Sequence, residues 1–237
     1  MQLWLCPLLA FLLGSIPFGL LIAKAKGINI REHGSGNIGA TNVLRVVGKK
    51  YGITCLILDA LKGFIPVALA TNLIQIEGRT IQVPLGFLDQ WALLLPASDA
   101  MMGQTVQILT ALAAVLGHNY SPWVGFKGGK GIATSAGVLL ALMPFAVGVL
   151  VIVFLAVFLI SRYVSLASIV AAAALPLVTL WGSWHHGRIQ DGTWNKPLFI
   201  FTVIIGVLAI WKHRTNIQRL RNGTENRFTR KAKSADA

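Results

Sequence analysis

The chain has 237 residues, 55% of them hydrophobic and only 12% charged, with 21 Lys and Arg against eight Asp and Glu for a formal charge of +13. Soluble domains carry roughly 25% charged residues, and a mean hydropathy of +0.68 leaves too little polar surface for a soluble nucleic-acid-binding domain. Cys6 and Cys55 both fall in apolar runs, which excludes a disulfide framework and a cysteine zinc site, and the same composition excludes disorder for all but the end of the tail.

An apolar core about 30 Å thick takes about 20 residues of helix, and several stretches meet or approach that length. Residues 3–23 carry no charge and are followed by Lys24 and Lys26, the reverse of a cleavable signal peptide, so they read as a retained first span. Residues 52–73 form a second span, interrupted by Asp59 and Lys62, and a third starts near Met101 with its apolar heart at 106–116. Residues 132–160 are too long for one span, and Pro144 breaks helical hydrogen bonding near their middle, so two short spans meet at Met143 and Pro144. Residues 166–181 and 198–211 complete seven. Pro17 and Pro66 are positions where a span can kink. The expectation is an all-α integral membrane protein of about seven short transmembrane helices, forming one polytopic membrane domain over residues 1–237.

Lys and Arg favour the cytoplasmic side of a membrane. Residues 24–51 hold six of them, 118–131 hold two, the corner at Arg162 one and the tail from Lys212 eight, while the opposite side holds only Arg79, Arg188 and Lys196. This bias puts the N-terminus outside and the C-terminus in the cytoplasm.

Four cytoplasmic segments carry candidate chemistry. In the first, Gly34, Ser35, Gly36, Asn37, Ile38, Gly39, Ala40, Thr41 and Asn42 lead to Arg45. Glycines let backbone N–H groups approach an anion, and hydroxyls, amides and an arginine add donors, although a tight loop in need of turn residues has the same composition. In the second, His118 and Asn119 precede Phe126, Lys127, Gly128, Gly129, Lys130 and Gly131, which run into the next helix. A glycine turn, two lysines and a helix N-terminus favour phosphate; the competing reading is contact with anionic lipid heads. No Ser or Thr follows Lys130, so the run is not a Walker loop. In the third, Ser165 and Ser168 follow Arg162 and suit helix capping as well as chemistry. In the tail, a helix would put His213, Asn216 and Leu220 on one face with Arg219 nearby. Within the second span, Asp59 and Lys62 lie three residues apart and can pair; charges at that depth are functional suspects, but snorkelling and mutual neutralisation account for them nearly as well. The acyltransferase-like spacing of His186 and Asp191 falls in an outer loop and is set aside. Trp123, Trp181, Trp184, Trp194 and Trp211 lie near span ends, as interfacial anchors do.

Together these motifs resemble the acyl-phosphate glycerol-3-phosphate acyltransferases, the PlsY family of bacterial inner-membrane enzymes. The likeness runs from the Gly34 loop through the Asp59–Lys62 segment, the His118 and Lys130 loop and the Ser165 corner to His213 and Glu225, nearly the whole chain. It implies seven short helices with the active site facing the cytoplasm, and transfer of a fatty acyl group from acyl phosphate to the primary hydroxyl of glycerol 3-phosphate without metal or coenzyme. By the same resemblance, Ser35 and the loop from Phe126 to Gly131 hold acyl phosphate, while Arg45, Lys127, His213 and Asn216 hold glycerol 3-phosphate, with Ser165 near the reacting carbonyl. Gly36, Asn37, Thr41, Asn42, His118 and Arg219 join the binding surface. Asp59, Lys62 and Glu225 are structural, Glu225 tying down the tail. The partners implied are the two substrates and membrane lipids, with no nucleic acid. The proton acceptor stays open between His213 and a substrate phosphate. An anion transporter is the main reading from another class, and it requires a polar path across the bilayer. Residues 72–101 and 182–197 depart from a compact family pattern and read as insertions on the opposite side.

Overall fold

The structure, a computed structural model, describes residues 3–228. Helices α1 (Leu5–Gly14) and α2 (Phe18–Lys24) make one broken span; the short α3 (Ala40–Val46) follows, and α4 (Lys49–Leu73) returns across the molecule. A two-stranded parallel ribbon pairs β1 (Ile74–Ile76) with β2 (Leu93–Leu95) before α5 (Ala100–Asn119). Then come α6 (Ile132–Leu142), α7 (Pro144–Ser161), α8 (Val164–His185), α9 (Lys196–Lys212) and α10 (Arg214–Arg221), the last bent 53° from α9.

The helical class expected from the sequence holds, but the helices are unequal. Five segments reach the length and apolarity of a membrane span, and the α9–α10 pair makes a sixth if counted as one. Helix α6 has only 11 residues, about 16 Å at 1.5 Å per residue. The expected junction at Met143 is where α6 stops, because Pro144 starts α7 as its first residue, a position that needs no N–H. The ribbon was not expected. Ile74, Leu95 and Val106 form a small buried cluster beneath it, so the segment after α4 folds onto the start of α5.

The main core joins Val67 of α4, Ala111 and Val115 of α5, Val138 and Leu139 of α6, Leu175 of α8 and Phe201 and Ile205 of α9. Hydrocarbon offers no hydrophobic drive between such helices, and small residues permit the close backbone approach that holds them. Gly63 of α4 lies against the Thr134 carbonyl of α6, and Gly137 of α6 against the Ala60 carbonyl of α4; a side chain at either glycine would strike that backbone. The same closeness sets Gly14 of α1 on Ala114 of α5.

Loops alternate between two ends of the bundle. All four motif segments share one end, and the two outer segments, 72–101 and 182–197, share the other. Overpacking a tight core costs about 1–3 kcal/mol or more. Gly63→Val is therefore expected to lower the thermal midpoint in detergent sharply, whereas Gly148→Val, at a glycine with open space around it, should leave stability within about 0.5 kcal/mol; thermal scans of the two variants check this.

Candidate active site

The deepest layer of the site is built on the break in the first span. Helix α1 ends at Gly14 and α2 starts only at Phe18, so the Ser15 and Ile16 carbonyls lack helical i+4 donors, Ile16 O keeping only a turn contact from Phe18 N–H at 3.1 Å. Ser121 donates its hydroxyl to Ser15 O at 2.5 Å and Lys62 donates to Ile16 O at 2.7 Å. Trp123 adds a bond from Nε1 to the Ser15 hydroxyl at 2.8 Å. Lys62 also stands 2.8 Å from Asp59, and His118 Nδ1 is 3.7 Å from the same carboxylate oxygen. All three side chains are buried. His118 thus lies beneath the glycine loop rather than on its open face, with its Nε2 edge against Gly129.

The second layer is the loop from Ser121 to Gly131. It turns at Gly125 and Phe126, both with positive φ, 62° and 59°. It is then pinned to the end of α5, with Gly128 N–H donating to Asn119 O at 3.3 Å and Gly129 N–H to His118 O at 3.1 Å. These two amides are therefore engaged. The donors left for an anion are those of the first turn of α6, which has no side-chain cap and follows Gly131 at φ 82°. Lys130 projects from this point and donates to Asn216 Oδ1 at 2.5 Å. The Lys127 side chain is exposed, while its carbonyl accepts from Arg31 at 2.9 Å.

The first glycine loop packs alongside. Asn42, on α3, accepts from Ser35 N–H at 2.9 Å and donates to the carbonyls of Ile30, His33 and Asn37. Asn37 accepts from Gly39 N–H at 2.8 Å. Both carboxamides shape the loop, and Gly36 turns it at φ 69°. Thr41 and Ser35 are half-buried, and Arg45 is exposed with its guanidinium 5.9 Å from the Phe228 ring centroid.

Glu225 knits the tail to this surface. Its Oε1 accepts from Ser165 at 2.7 Å and Asn216 at 2.6 Å, and its Oε2 pairs with Arg219 at 2.7 Å. Phe228 N–H reaches Arg162 O at 3.0 Å, completing the strap. Burial pushes the Glu225 carboxyl up, but the bonds from Arg219, Asn216 and Ser165 and the Arg219 charge outweigh it and hold it below the usual glutamate range. Burial, reinforced by the Arg219 and Arg45 charges against the pull of Glu225, brings Lys130 down to about 8. Burial and the Lys130 charge likewise bring His213 down to about 4, leaving a neutral imidazole at pH 7. His213 Nδ1 lies 2.7 Å from Ala209 O, a contact that assigns the proton to Nδ1 and the lone pair to Nε2.

The structure therefore joins Arg45, Lys130, Ser165, His213, Asn216, Arg219 and Glu225 into one polar surface, flanked by Ser35 and Thr41. Gly128, Gly129, Gly131 and His118 form its floor, and Asp59 with Lys62 lies underneath. Four contributors were given no role in the sequence reading. Arg31 clasps the second loop, and Lys212 donates to Asn119 O at 3.0 Å. Asn119 and Thr134 are fully buried, and their side chains find no hydrogen-bond partner. The adjacency of Asn119 to His118, and of Lys212 to His213, was the available signal. Among the described residues no three His, Cys, Asp or Glu side chains stand close enough to share a metal ion.

The Glycerol-3-phosphate acyltransferase family model matches residues 4–223. The glycerol-3-phosphate acyltransferase of Geobacter metallireducens is 50% identical over 92% of this chain and 94% of its own, and that of Aquifex aeolicus 42% identical over 92% and 95%. A crystal structure of PlsY (YgiH), an integral membrane glycerol 3-phosphate acyltransferase, in its glycerol 3-phosphate form is similar with a TM-score of 0.76 and 39% identity, covering 97% of this chain and 96% of that one. Its lysophosphatidic acid form gives 0.73.

Removing one partner of a buried ion pair costs about 3–5 kcal/mol, because the other charge is left uncompensated. Lys62→Met is thus expected to destabilise the detergent-solubilised protein by that amount, and adding Asp59→Leu to recover much of it; a double-mutant cycle on unfolding midpoints reads the difference.

Proposed function

Because the chain belongs to the glycerol-3-phosphate acyltransferase family, we propose that it transfers a fatty acyl group from acyl phosphate to the sn-1 hydroxyl of glycerol 3-phosphate, yielding lysophosphatidic acid and inorganic phosphate. The observation that carries this reading is the convergence of Arg45, Lys130 and Arg219 on one polar surface beside the uncapped N-terminus of α6. Two phosphates must be held together there, and cations with oriented amides do that work.

In this mechanism the α6 amides, Lys130 and Ser35 hold the phosphate of the acyl donor, and Arg45, Lys127, Asn216 and His213 hold glycerol 3-phosphate. The sn-1 oxygen attacks the acyl carbonyl carbon, forming the ester C–O bond. The bond from that carbon to the phosphate oxygen then breaks, its electron pair leaves with phosphate, and the hydroxyl proton ends on that phosphate. Ser165 lies near the reacting carbonyl, where donors to the developing oxyanion count most. Phosphate is a good leaving group, so orientation and charge supply most of the acceleration and no acyl-enzyme is required. His213 is a weak base at about 4. It orients the hydroxyl through Nε2, and the departing phosphate takes the proton.

The protein is a multi-pass membrane protein. Its placement in a bacterial inner membrane with the site toward the cytoplasm is supported by the concentration of Lys and Arg in the loops and tail at the site end. The apolar packing of Val67, Ala111, Val115, Val138 and Phe201 between the two ends favours transfer over transport.

Two measurements test the roles. Loss of an obligatory general base costs about 10²–10⁴ in rate; His213→Gln is expected to lose less than about tenfold in kcat while KM for glycerol 3-phosphate rises. Lys130 carries its charge below its pKa of about 8 and loses it above, so kcat/KM should fall as pH rises through that value. Lys130→Arg, which stays charged past pH 12, should abolish the fall, as read from phosphate release with palmitoyl phosphate.

A further inference from the structure

At the end of the bundle opposite the polar surface, the two segments that depart from a compact pattern enclose a cavity of about 650 Å³. That is the range of pockets that hold small organic ligands. One wall is apolar, built by Leu142, Met143 and Phe145 at the α6–α7 turn with Val178 and Leu198. The facing wall is polar, and its centre is Gln104 on α5, only 4% exposed. With its carboxamide in the orientation that satisfies both ends, Gln104 accepts from the Arg79 guanidinium at 3.0 and 3.3 Å and donates to Asn195 Oδ1 at 3.2 Å.

A neutral amide thus fixes Arg79 at the cavity, so its charge is not cancelled. Arg188 and His186 also line the space, against a single acid, Glu77. Among the described residues neither arginine pairs with a carboxylate. Phe145 and Trp181 line the cavity and are 71% and 50% exposed, so it opens sideways onto the surface that faces lipid. Trp181 and Trp184 mark the depth of the membrane interface on α8.

We propose that this cavity is a binding site for an anionic phospholipid of the surrounding leaflet, with its phosphate on Arg79 and Arg188 and an acyl chain along Leu142, Phe145 and Val178. A soluble phosphate ester would use the arginines but not the apolar wall, and a zwitterionic lipid would use the wall but gain less from two uncompensated guanidinium groups. The site is separate from the acyl-transfer surface and does not depend on the reading of that surface.

Native mass spectrometry of the detergent-purified full chain, titrated with dioleoylphosphatidylglycerol, dioleoylphosphatidylcholine or sodium phosphate, tests it. Two basic contacts at about 1 kcal/mol each correspond to about a thirtyfold preference for the anionic lipid. Arg79→Ala/Arg188→Ala is expected to erase that preference and Ala97→Trp, which fills the cavity from its exposed rim, to weaken binding of both lipids. All these variants should keep acyl-transfer turnover, which also shows that they fold. Arg45→Ala, at the other end, should keep the preference. Equal binding of the two lipids, a preference that survives in the double arginine variant, or inorganic phosphate competing the anionic lipid away at equal concentration would overturn the proposal, the last by assigning the arginines to a soluble anion.

Discussion

Lys62 is the side chain on which the rest of the site is hung. Its ammonium reaches across from α4 to the Ile16 carbonyl at the break in the first span, while Asp59, one turn back on its own helix, balances the charge. A lysine buried without partners would be prohibitive in an apolar interior; one that satisfies a broken helix and a carboxylate together is a structural joint. His118 approaches the same carboxylate from the end of α5 and supports Gly129. Through these few contacts the first span, α4, α5 and the glycine loop are held in one register.

Above this joint the cations are kept apart by neutral donors and one carboxylate. Glu225 satisfies Ser165, Asn216 and Arg219 at once, and Asn216 in turn receives Lys130. Such a network is strong only when every member is paired, and here it holds the tail, α8 and α10 together before any phosphate arrives. Arg45 is exposed, and the first turn of α6 has no side-chain cap.

Much of this was legible in the sequence. The apolar runs, Pro144 and the position of Met101 place helix boundaries within a few residues, because helix breaking and hydropathy are local properties. The five ordered motifs also mark the end of the bundle where the polar groups collect. What was not legible depends on contacts between distant segments. The three-residue strands at 74–76 and 93–95 have no periodicity to read and exist because each pairs with the other over α5. The glycines at 128 and 129 look like free anion donors, yet their amides belong to the end of α5. Asn37 and Asn42 look like ligands and instead fold their own loop. His118 looks like a surface histidine and is buried. In each case the residue type is right for the chemistry and the partner is supplied by tertiary structure.

The shortness of α6 gives these features a common cause. A helix of 11 residues spans about 16 Å, half of an apolar core about 30 Å thick, so it cannot carry both its ends to the two membrane surfaces. Its N-terminal turn is correspondingly covered: Gly129, Gly131 and Thr134 are buried, and the loop before it folds back onto the end of α5. Recessed amides are worth more to an anion than amides in water, because the medium around them screens less. In the reaction proposed above the donor's phosphate is attached directly to the acyl carbonyl, so holding that phosphate at a recessed helix end would keep the acyl chain within the apolar layer. In that proposal the polar acceptor would approach from the aqueous side over Arg45 and His213. A full-length α6 would lift the phosphate site to the surface and pull the acyl chain out of lipid with it.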